Sequence, residues 1–176
     1  MLWLLEDNVT AAMNLRKEAE RRGVDSHRLI FAPKIRIDEH LARHCCADLF
    51  IDTLPYNAHT TAVDALWTGL PVLTLVGRAF AGRVAASLLR AIDMPELITH
   101  TAEEYEALAI ELARDRQKLG RIRKKLEANR LTRPLFDTHR FTQHIEAAYN
   151  AMHKRLQAGL PPDHIWVDPI LSSSME

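Results

Sequence analysis

The chain has 176 residues, 47% of them hydrophobic, and its 23 Lys and Arg balance 23 Asp and Glu for a formal net charge of zero. This length predicts one compact domain with room for an appended piece. The balanced charge argues against a nucleic-acid-binding surface and against an acidic, solvating tail. No apolar run reaches the roughly 20 residues of a membrane-spanning helix, and the two cysteines are too few for a disulfide framework, so we expect a cytoplasmic protein.

Strand and helix patterns alternate along the first 100 residues. Short apolar runs predict strands at 2–5, 28–31, 49–51, 71–76 and 96–98, and periodic segments predict helices at 10–22, 38–46, 61–68 and 81–92. We expect Asp38 to cap the second helix, and Thr101 with Glu104 to form a capping box that opens a further helix. Short strands interleaved with helices predict a doubly wound, Rossmann-like α/β fold around a parallel sheet.

The pattern changes after Leu126. Residues 129–137 have the composition of a linker, and an apolar stripe then predicts a long final helix that ends at Gly159. We therefore predict a Rossmann-like lobe over 1–128, a linker with a long helix over 129–159 and an irregular tail over 160–176. The basic run at 114–133 is interpreted first as a solvated helix face and second as an acceptor-protein surface. Because the chain starts directly in a strand-like run, we expect it to be part of a longer architecture.

The most informative segment is 57–64, which lies between a predicted strand and the predicted helix that follows it. A strand-to-helix turn leaves backbone N–H groups unpaired at the positive end of a helix, and such a turn favours anions. His59 can donate to a phosphate oxygen, and Thr60 and Thr61 add hydroxyl donors. Asp64 shares their helix face and can accept from the vicinal hydroxyls of a ribose. The segment therefore predicts a site for a nucleoside diphosphate.

The alternative for this segment is a well-capped helix without a ligand, because Thr and Asn are common at helix starts and turns. His40 and Arg43 belong to the preceding strand-helix connection, and we expect them to lie at the edge of the same crevice, since ligands of such sheets bind beyond the carboxyl ends of the strands. His44 lies one helical turn after His40 and next to the cysteines, but four metal ligands with recognisable spacing are lacking. We expect neither a metal site nor a cofactor.

Several segments, in order along nearly the whole chain, resemble one known family. They are Leu2-Trp3-Leu4-Leu5, the 28–40 segment with Asp38-Glu39-His40, Asn57-Ala58-His59-Thr60-Thr61 with Asp64-Ala65-Leu66-Trp67, Arg83-Val84-Ala85-Ala86-Ser87, Pro134-Leu135-Phe136 and Pro162-Asp163-His164. Together they resemble the C-terminal catalytic lobe of protein O-linked N-acetylglucosamine transferases, glycosyltransferase family 41.

The resemblance implies the second, donor-binding lobe of a GT-B glycosyltransferase, which holds UDP-N-acetylglucosamine for metal-independent, inverting transfer to Ser or Thr hydroxyls of an acceptor protein. A missing N-terminal lobe would be needed for turnover. By the resemblance, His40 and Arg43 contact uracil and ribose, the run from His59 to Thr61 binds the diphosphate, and Asp64 binds ribose. We assign His59 the role of an electrostatic stabiliser of the departing diphosphate.

The chain also departs from the family pattern. Ile37 stands where the family has a lysine, which leaves Lys34 or Arg36 as substitutes, and Tyr56 occupies a variable place around the sugar pocket. Two alternatives therefore stay open. One is a related transferase that uses another sugar, a guanine nucleotide or an asparagine acceptor, and the other is a nucleotide-sugar-binding module without catalysis of its own.

Overall fold

The computed structural model describes residues 1–169 and shows an α/β chain with short parallel strands, as the sequence predicts. The strands are β1 (Leu2–Leu5), β2 (Leu29–Ala32), β3 (Phe50–Ile51), β4 (Val72–Leu75) and β5 (Ile98–Thr99). The helices are α1 (Val9–Arg21), α2 (Ile37–Arg43), α3 (Thr60–Trp67), α4 (Val84–Ala91), α5 (Ala102–Arg114), α6 (Arg116–Arg130) and α7 (Thr138–Gln157). Short 3₁₀ turns lie at Ser26–Arg28, His44–Cys46, Phe80–Gly82, Pro95–Leu97 and Pro134–Phe136.

Two compact units make up the chain, and the first covers Met1–Cys46. Its strands β1 and β2 pair in parallel, with Leu2 opposite Leu29 and Leu5 opposite Ala32. The connecting helix α1 is tied to β2 by Arg16, whose guanidinium lies 4.7 Å from the Phe31 ring centroid and donates to the Leu29 carbonyl at 3.2 Å. A parallel pair requires such a crossover, so this unit is a β-α-β element.

The second unit begins at Ala47 and contains a parallel sheet in the order β3-β4-β5. All four residues of β4 are buried. Since successive side chains of a strand point to opposite faces, this burial shows that both faces of the central strand are covered. The apolar core is formed around α3, β4 and α4 and includes Leu66, Val72, Leu89, Met94 and Leu126. The predicted partition of the chain at residues 128 and 159 stays a prediction.

Helix α6 agrees in part with the solvated basic face that the sequence suggested, since Arg116, Arg121 and Lys124 are exposed. Three other cations of this helix contact other elements of the second unit. The contacts are Arg123 Nη2 to the Ala47 carbonyl, Lys125 Nζ to Glu96 Oε1 at 2.8 Å, and Arg130 Nη1 to the Trp67 carbonyl at 2.7 Å. A long cationic side chain can pack its stem on apolar surface while its head binds a carbonyl, which charge patterning alone does not distinguish from solvation.

The prediction that Asp38 caps the second helix is wrong. Helix α2 starts one residue earlier, at Ile37, and its cap residue is Arg36, which makes no side-chain cap hydrogen bond. Asp38 lies in the first turn, where its carboxylate favours the positive helix end and pairs with Arg36 Nε at 3.2 Å. The helix ends at Arg43, before the predicted end at residue 46, and the chain continues as a 3₁₀ turn over His44–Cys46.

Two further predicted elements shift because of Gly and Pro. The helix predicted at 81–92 is a 3₁₀ turn over Phe80–Gly82 followed by α4 from Val84. The strand predicted at 96–98 is mainly the 3₁₀ turn Pro95–Leu97, and β5 begins only at Ile98. Proline fixes its φ near the helical value and lacks an N–H for a ladder, so the turn precedes the strand.

The long final helix is confirmed, and the predicted capping box forms in part. Thr101 Oγ1 accepts from Glu104 N at 3.1 Å, whereas Glu104 Oε2 accepts from His100 N at 2.8 Å, one residue before the cap residue. Helix α7 is followed by Gly159 at φ 66°, a left-handed conformation that glycine adopts without strain. Residues 160–169 are irregular, as expected, and 170–176 lie outside the described residues. No helix in the described part of the chain is long and apolar enough to cross a membrane.

Candidate functional site

The loop from β3 to α3 is fixed from within by Asp52, which directly follows β3. Asp52 is 5% exposed, and Oδ1 accepts from Thr53 N at 2.8 Å and from Ala58 N at 2.7 Å. Its other oxygen accepts from Thr74 Oγ1 on β4 at 2.6 Å. Hydrogen bonds to a buried carboxylate are the stronger class. Asp52 therefore holds both ends of the loop against the sheet.

Asn57 anchors the same loop from its far side. It is 1% exposed, its backbone N–H donates to the Ala81 carbonyl at 2.9 Å, and its side-chain Nδ2 donates to the Thr53 carbonyl at 2.9 Å. Its Oδ1 is buried without a partner within residues 1–169. Asn57 is therefore a buried anchor of the turn, in addition to being a residue type that favours turns.

Tyr105 on α5 supports the loop from outside the segment. Its hydroxyl donates to the backbone carbonyl of Asp52 at 2.6 Å. Burial, with a smaller contribution from the nearby negative charge of Asp52, raises the pKa of Tyr105 to about 12. The phenol therefore stays protonated and keeps donating. Sequence analysis missed both residues. Asp52 is a polar residue at the end of an apolar strand, and this position could have indicated its role. No local pattern indicates the role of Tyr105.

The N-terminus of α3 presents free donors. The His59 carbonyl accepts from the amides of Ala62 and Val63, each at 3.1 Å. The amides of Thr60 and Thr61 come before these and have no acceptor among the described residues, and both threonines are exposed. Unpaired N–H groups and the positive helix end favour an anion at this position.

The ring of His59 is held in place by its neighbours. Nε2 lies 3.4 Å from the Ala81 carbonyl, the ring stacks on Tyr56 with centroids 4.9 Å apart, and Phe80 meets it edge-on at 6.1 Å. The carbonyl favours the proton on Nε2, so Nδ1 donates only when the ring is an imidazolium. The Phe80–Gly82 turn thus sets how His59 interacts with a ligand.

Two glycines let this turn close tightly. Gly77 N donates to the Gly82 carbonyl at 2.6 Å. A Cβ built on Gly82 would lie 2.9 Å from Gly77 Cα and 3.2 Å from the Pro55 carbonyl. No side chain fits at Gly82 without a shift of backbone, so close approach explains this glycine.

An open depression of about 520 Å³ lies beside these groups. Its lining residues come from β3, the loop and the start of α3: Phe50, Ile51, Thr53, Tyr56, Asn57, Ala58, His59, Thr60 and Thr61. This volume falls within the usual range of small-molecule sites, about 300–1,000 Å³. The structure therefore brings His59, Thr60 and Thr61 together in one depression. Asp64 is half-buried one helical turn further along α3 and does not line it.

His40 and Arg43 form a second cluster, in the first unit. Arg43 Nε and Nη2 lie 3.0 and 2.8 Å from His40 Nδ1, and the guanidinium lies 5.3 Å from the Trp3 ring centroid. Arg43 Nη1 also donates to the Pro33 carbonyl at 3.0 Å. A guanidinium only donates, so His40 Nδ1 accepts and the ring hydrogen is on Nε2. His40 therefore offers one oriented N–H donor to a ligand.

Ile37 stands where the resemblance leads us to expect a lysine. Ile37 is exposed at the start of α2. Of the two alternative cations, Arg36 pairs with Asp38, while Lys34 is exposed before the helix. Within residues 1–169, no group of three or more His, Cys, Asp or Glu side chains is placed to hold a metal ion.

The fold is that of a known class of transferase. The chain superposes on the O-GlcNAc transferase of Thermobaculum terrenum, in a mutant form, with a TM-score of 0.83 and 35% sequence identity over 90% of this chain and 31% of that chain. At this similarity, the short parallel strands and their helices define a Rossmann-like lobe of a GT-B glycosyltransferase.

The glycosyl transferase family 41 model matches residues 1–145, and the chain belongs to this family. It is 37% identical over 94% of its length to a UDP-N-acetylglucosamine--peptide N-acetylglucosaminyltransferase of Caenorhabditis elegans. It is also 39% identical over 94% of its length to the probable enzyme of the same name, SEC, of Arabidopsis thaliana. The resemblance seen in the sequence is thereby confirmed. The chain spans 14% and 17% of the lengths of these two relatives.

Proposed function

We propose that this chain binds UDP-N-acetylglucosamine as the donor lobe of a protein O-GlcNAc transferase. The observation that carries the proposal is the start of α3, where two amides without acceptors and the side chains of His59, Thr60 and Thr61 line one depression. In a member of family 41, a diphosphate is the anion that fits this position. The relatives named for UDP-N-acetylglucosamine support the choice of donor.

The remaining site residues have separate proposed roles. His40 and Arg43 bind uracil and ribose, and the Nε2–H that Arg43 imposes on His40 suits a carbonyl acceptor on the base. Asp64, one helical turn after Thr60 and Thr61, accepts from a ribose hydroxyl. His59 stabilises the departing diphosphate, most strongly as an imidazolium, because its Nε2 faces the Ala81 carbonyl.

The chemistry that we propose is metal-independent, inverting transfer to a Ser or Thr hydroxyl of an acceptor protein. Fixed donors at the helix start and His59 would replace a divalent cation in stabilising the diphosphate. Turnover would need a first lobe in addition to this chain, since this chain corresponds to 31% of the matched transferase. We also propose a cytoplasmic location, with which the two free, exposed cysteines agree.

Calorimetric titration in the presence of EDTA tests donor binding. We expect UDP and UDP-N-acetylglucosamine to bind without metal, and both to bind more tightly than uridine or GDP. Equal affinity for uridine and UDP would contradict a diphosphate site at α3. A preference for GDP would instead favour the alternative of a guanine-nucleotide transferase.

Substitutions separate the proposed roles. Asp64→Ala should weaken UDP by about 1–3 kcal/mol, the range for a hydrogen bond to a charged group. His59→Ala should weaken UDP more than uridine, because its partner is phosphate. His27→Ala, whose side chain is 93% exposed in the first unit, is the matched control and should bind like the parent chain. Full UDP affinity in a folded Asp64→Ala chain would refute the ribose assignment.

Turnover requires its own measurement. We expect transfer of N-acetylglucosamine to a Ser- or Thr-containing peptide when a first lobe of the family is supplied together with this chain, and we expect EDTA to leave the rate unchanged. UDP-N-acetylglucosamine binding without transfer in the two-lobe protein would favour the binding-module alternative.

A further inference from the structure

The two cysteines form a feature that nucleotide binding does not explain. Cys45 and Cys46 end the 3₁₀ turn that directly follows α2, and both are free and exposed. Their sulfur atoms lie 3.9 Å apart, within the range of a hydrogen bond between two sulfurs. The hydrogen bond with Cys45 raises the pKa of the Cys46 thiol, because it favours the protonated form, and the charge interaction with Cys45 adds to this effect. The turn thus presents two neighbouring S–H groups to solvent.

The separation of the two sulfurs suits one bridging atom. A tetrahedral centre with bonds of about 2.3 Å to sulfur holds two sulfurs about 3.8 Å apart, and a pyramidal trivalent centre, with narrower angles, holds them about 3.5 Å apart, so two sulfurs at 3.9 Å need to close by only a few tenths of an ångström. A disulfide would require the sulfurs to approach to about 2.05 Å, and adjacent residues have Cα atoms about 3.8 Å apart, below the usual disulfide range. The observed 3.9 Å therefore favours capture of a soft atom by both sulfurs over direct oxidation.

The surroundings decide which soft atom fits. A structural zinc site needs four ligands, and no third His, Cys, Asp or Glu joins the pair to form a metal-binding group in the described residues. A trivalent organoarsenical needs only two sulfurs, since its third bond is already made to carbon. In the reaction, the As=O bond is replaced by two As–S bonds, and the two thiol protons leave with the oxygen as water. No electron transfer and no further ligand is required.

Contacts connect the cysteine pair to His40, which we propose to bind the nucleoside. The ring of His44, next to Cys45, meets the ring of His40 edge-on with centroids 4.7 Å apart. His40 in turn is held by Arg43. A bridge across Cys45 and Cys46 constrains the turn that carries His44, and α2 continues directly into that turn.

We propose that Cys45 and Cys46 form a two-sulfur site for thiophilic trivalent arsenicals, and that its occupation weakens nucleotide binding through His44 and His40. The effect on nucleotide binding rests on the proposed role of His40 in binding UDP. The two-sulfur site rests on the cysteine pair alone. The site is specific to adjacent thiols, so a reagent for single thiols does not reproduce the effect.

Intact-mass measurement after treatment with phenylarsine oxide tests the pair. We expect one phenylarsenic group per chain with loss of water, no thiol left for iodoacetamide, retention in excess monothiol and release by 2,3-dimercaptopropanol. Cys45→Ser and Cys46→Ser should each lose retention in monothiol. Because both positions are exposed, these variants should fold, which far-UV circular dichroism checks. Retention by either single variant equal to that of the parent chain would overturn the two-sulfur site.

Titration of the same samples with UDP tests the coupling. We expect affinity to fall by about fivefold or more in the bridged chain, the lower end of typical coupling between sites, and to recover after dimercaptopropanol. Both serine variants should bind UDP equally with and without the reagent. Equal UDP affinity of bridged and free parent chains would overturn the coupling. If the untreated parent chain does not bind UDP, the proposed function fails, while the mass result still decides the two-sulfur site.

Discussion

Replacing Asp52 by Asn tests whether one buried carboxylate holds the loop that precedes α3. Asn keeps the shape and one acceptor oxygen but removes the charge from three hydrogen bonds, of 2.8, 2.7 and 2.6 Å. A hydrogen bond to a charged group contributes about 1 kcal/mol more than a neutral one, and bonds that share an acceptor are not additive. We therefore expect the free energy of unfolding to fall by about 2 kcal/mol.

Urea unfolding, followed by tryptophan fluorescence and circular dichroism, measures this loss. Asp48→Asn is the matched control, because that side chain is 90% exposed and contacts Arg123 only at 3.9 Å. We expect the control to stay within about 0.5 kcal/mol of the parent chain. A loss of less than about 0.5 kcal/mol in Asp52→Asn would refute the reasoning. Asp52→Ala should cost more, about 3 kcal/mol, since one buried and two part-buried donors then lose their acceptor.

Three further predictions test individual features. Gly82→Ala should lower the free energy of unfolding by about 1–3 kcal/mol, because its Cβ would lie 2.9 Å from Gly77 Cα. Gly120→Ala is the control, since Gly120 faces open space within α6, and it should raise the free energy of unfolding by up to about 1 kcal/mol. Equal effects of the two substitutions in urea unfolding would contradict the close approach at Gly82. Thr101→Ala should cost about 1 kcal/mol in the same assay, since Glu104 N loses its acceptor, and no change would contradict a stabilising cap at Thr101. The pKa of Tyr105 is raised from 10.0 to about 12, so the contribution of Tyr105 to stability is complete below about pH 10 and is lost as the pH rises towards 12. The Tyr105→Phe variant should therefore lose less stability than the parent chain over this pH range. Phenolate absorbance that titrates near pH 10 for every tyrosine would contradict the raised pKa.

Local signals in the sequence predicted much of the fold. Periodicity and turn residues located the strands and most helices, and the order of Thr101 and Glu104 correctly predicted a helix start. Helix α2 shows the limit of such signals. Asp38 has the right side chain for a cap, yet Arg36 takes the cap position and Asp38 lies in the first turn, so a local preference of about 1 kcal/mol does not decide where this helix starts.

The candidate site was predictable only in the part that is local in sequence. His59, Thr60 and Thr61 follow one another, so a strand-to-helix pattern was enough to place them at a helix start. Asp52 and Tyr105 support this turn through a contact between residues 53 positions apart, which no periodicity reveals. The carbonyl partners of Arg123 and Arg130 on α6 were not predictable for the same reason, since they lie 76 and 63 residues away along the chain.

Contacts between residues that lie far apart along the chain form only after the later residue has been synthesised. The turn at His59 emerges from the ribosome well before the residues that complete its surroundings. Tyr105 follows Asp52 by 53 residues. At about 5–20 residues per second, the nascent loop waits roughly 3–11 s for Tyr105. During that interval the nascent chain presents the loop before α3 to chaperones and proteases without the hydrogen bond from Tyr105 to the Asp52 carbonyl.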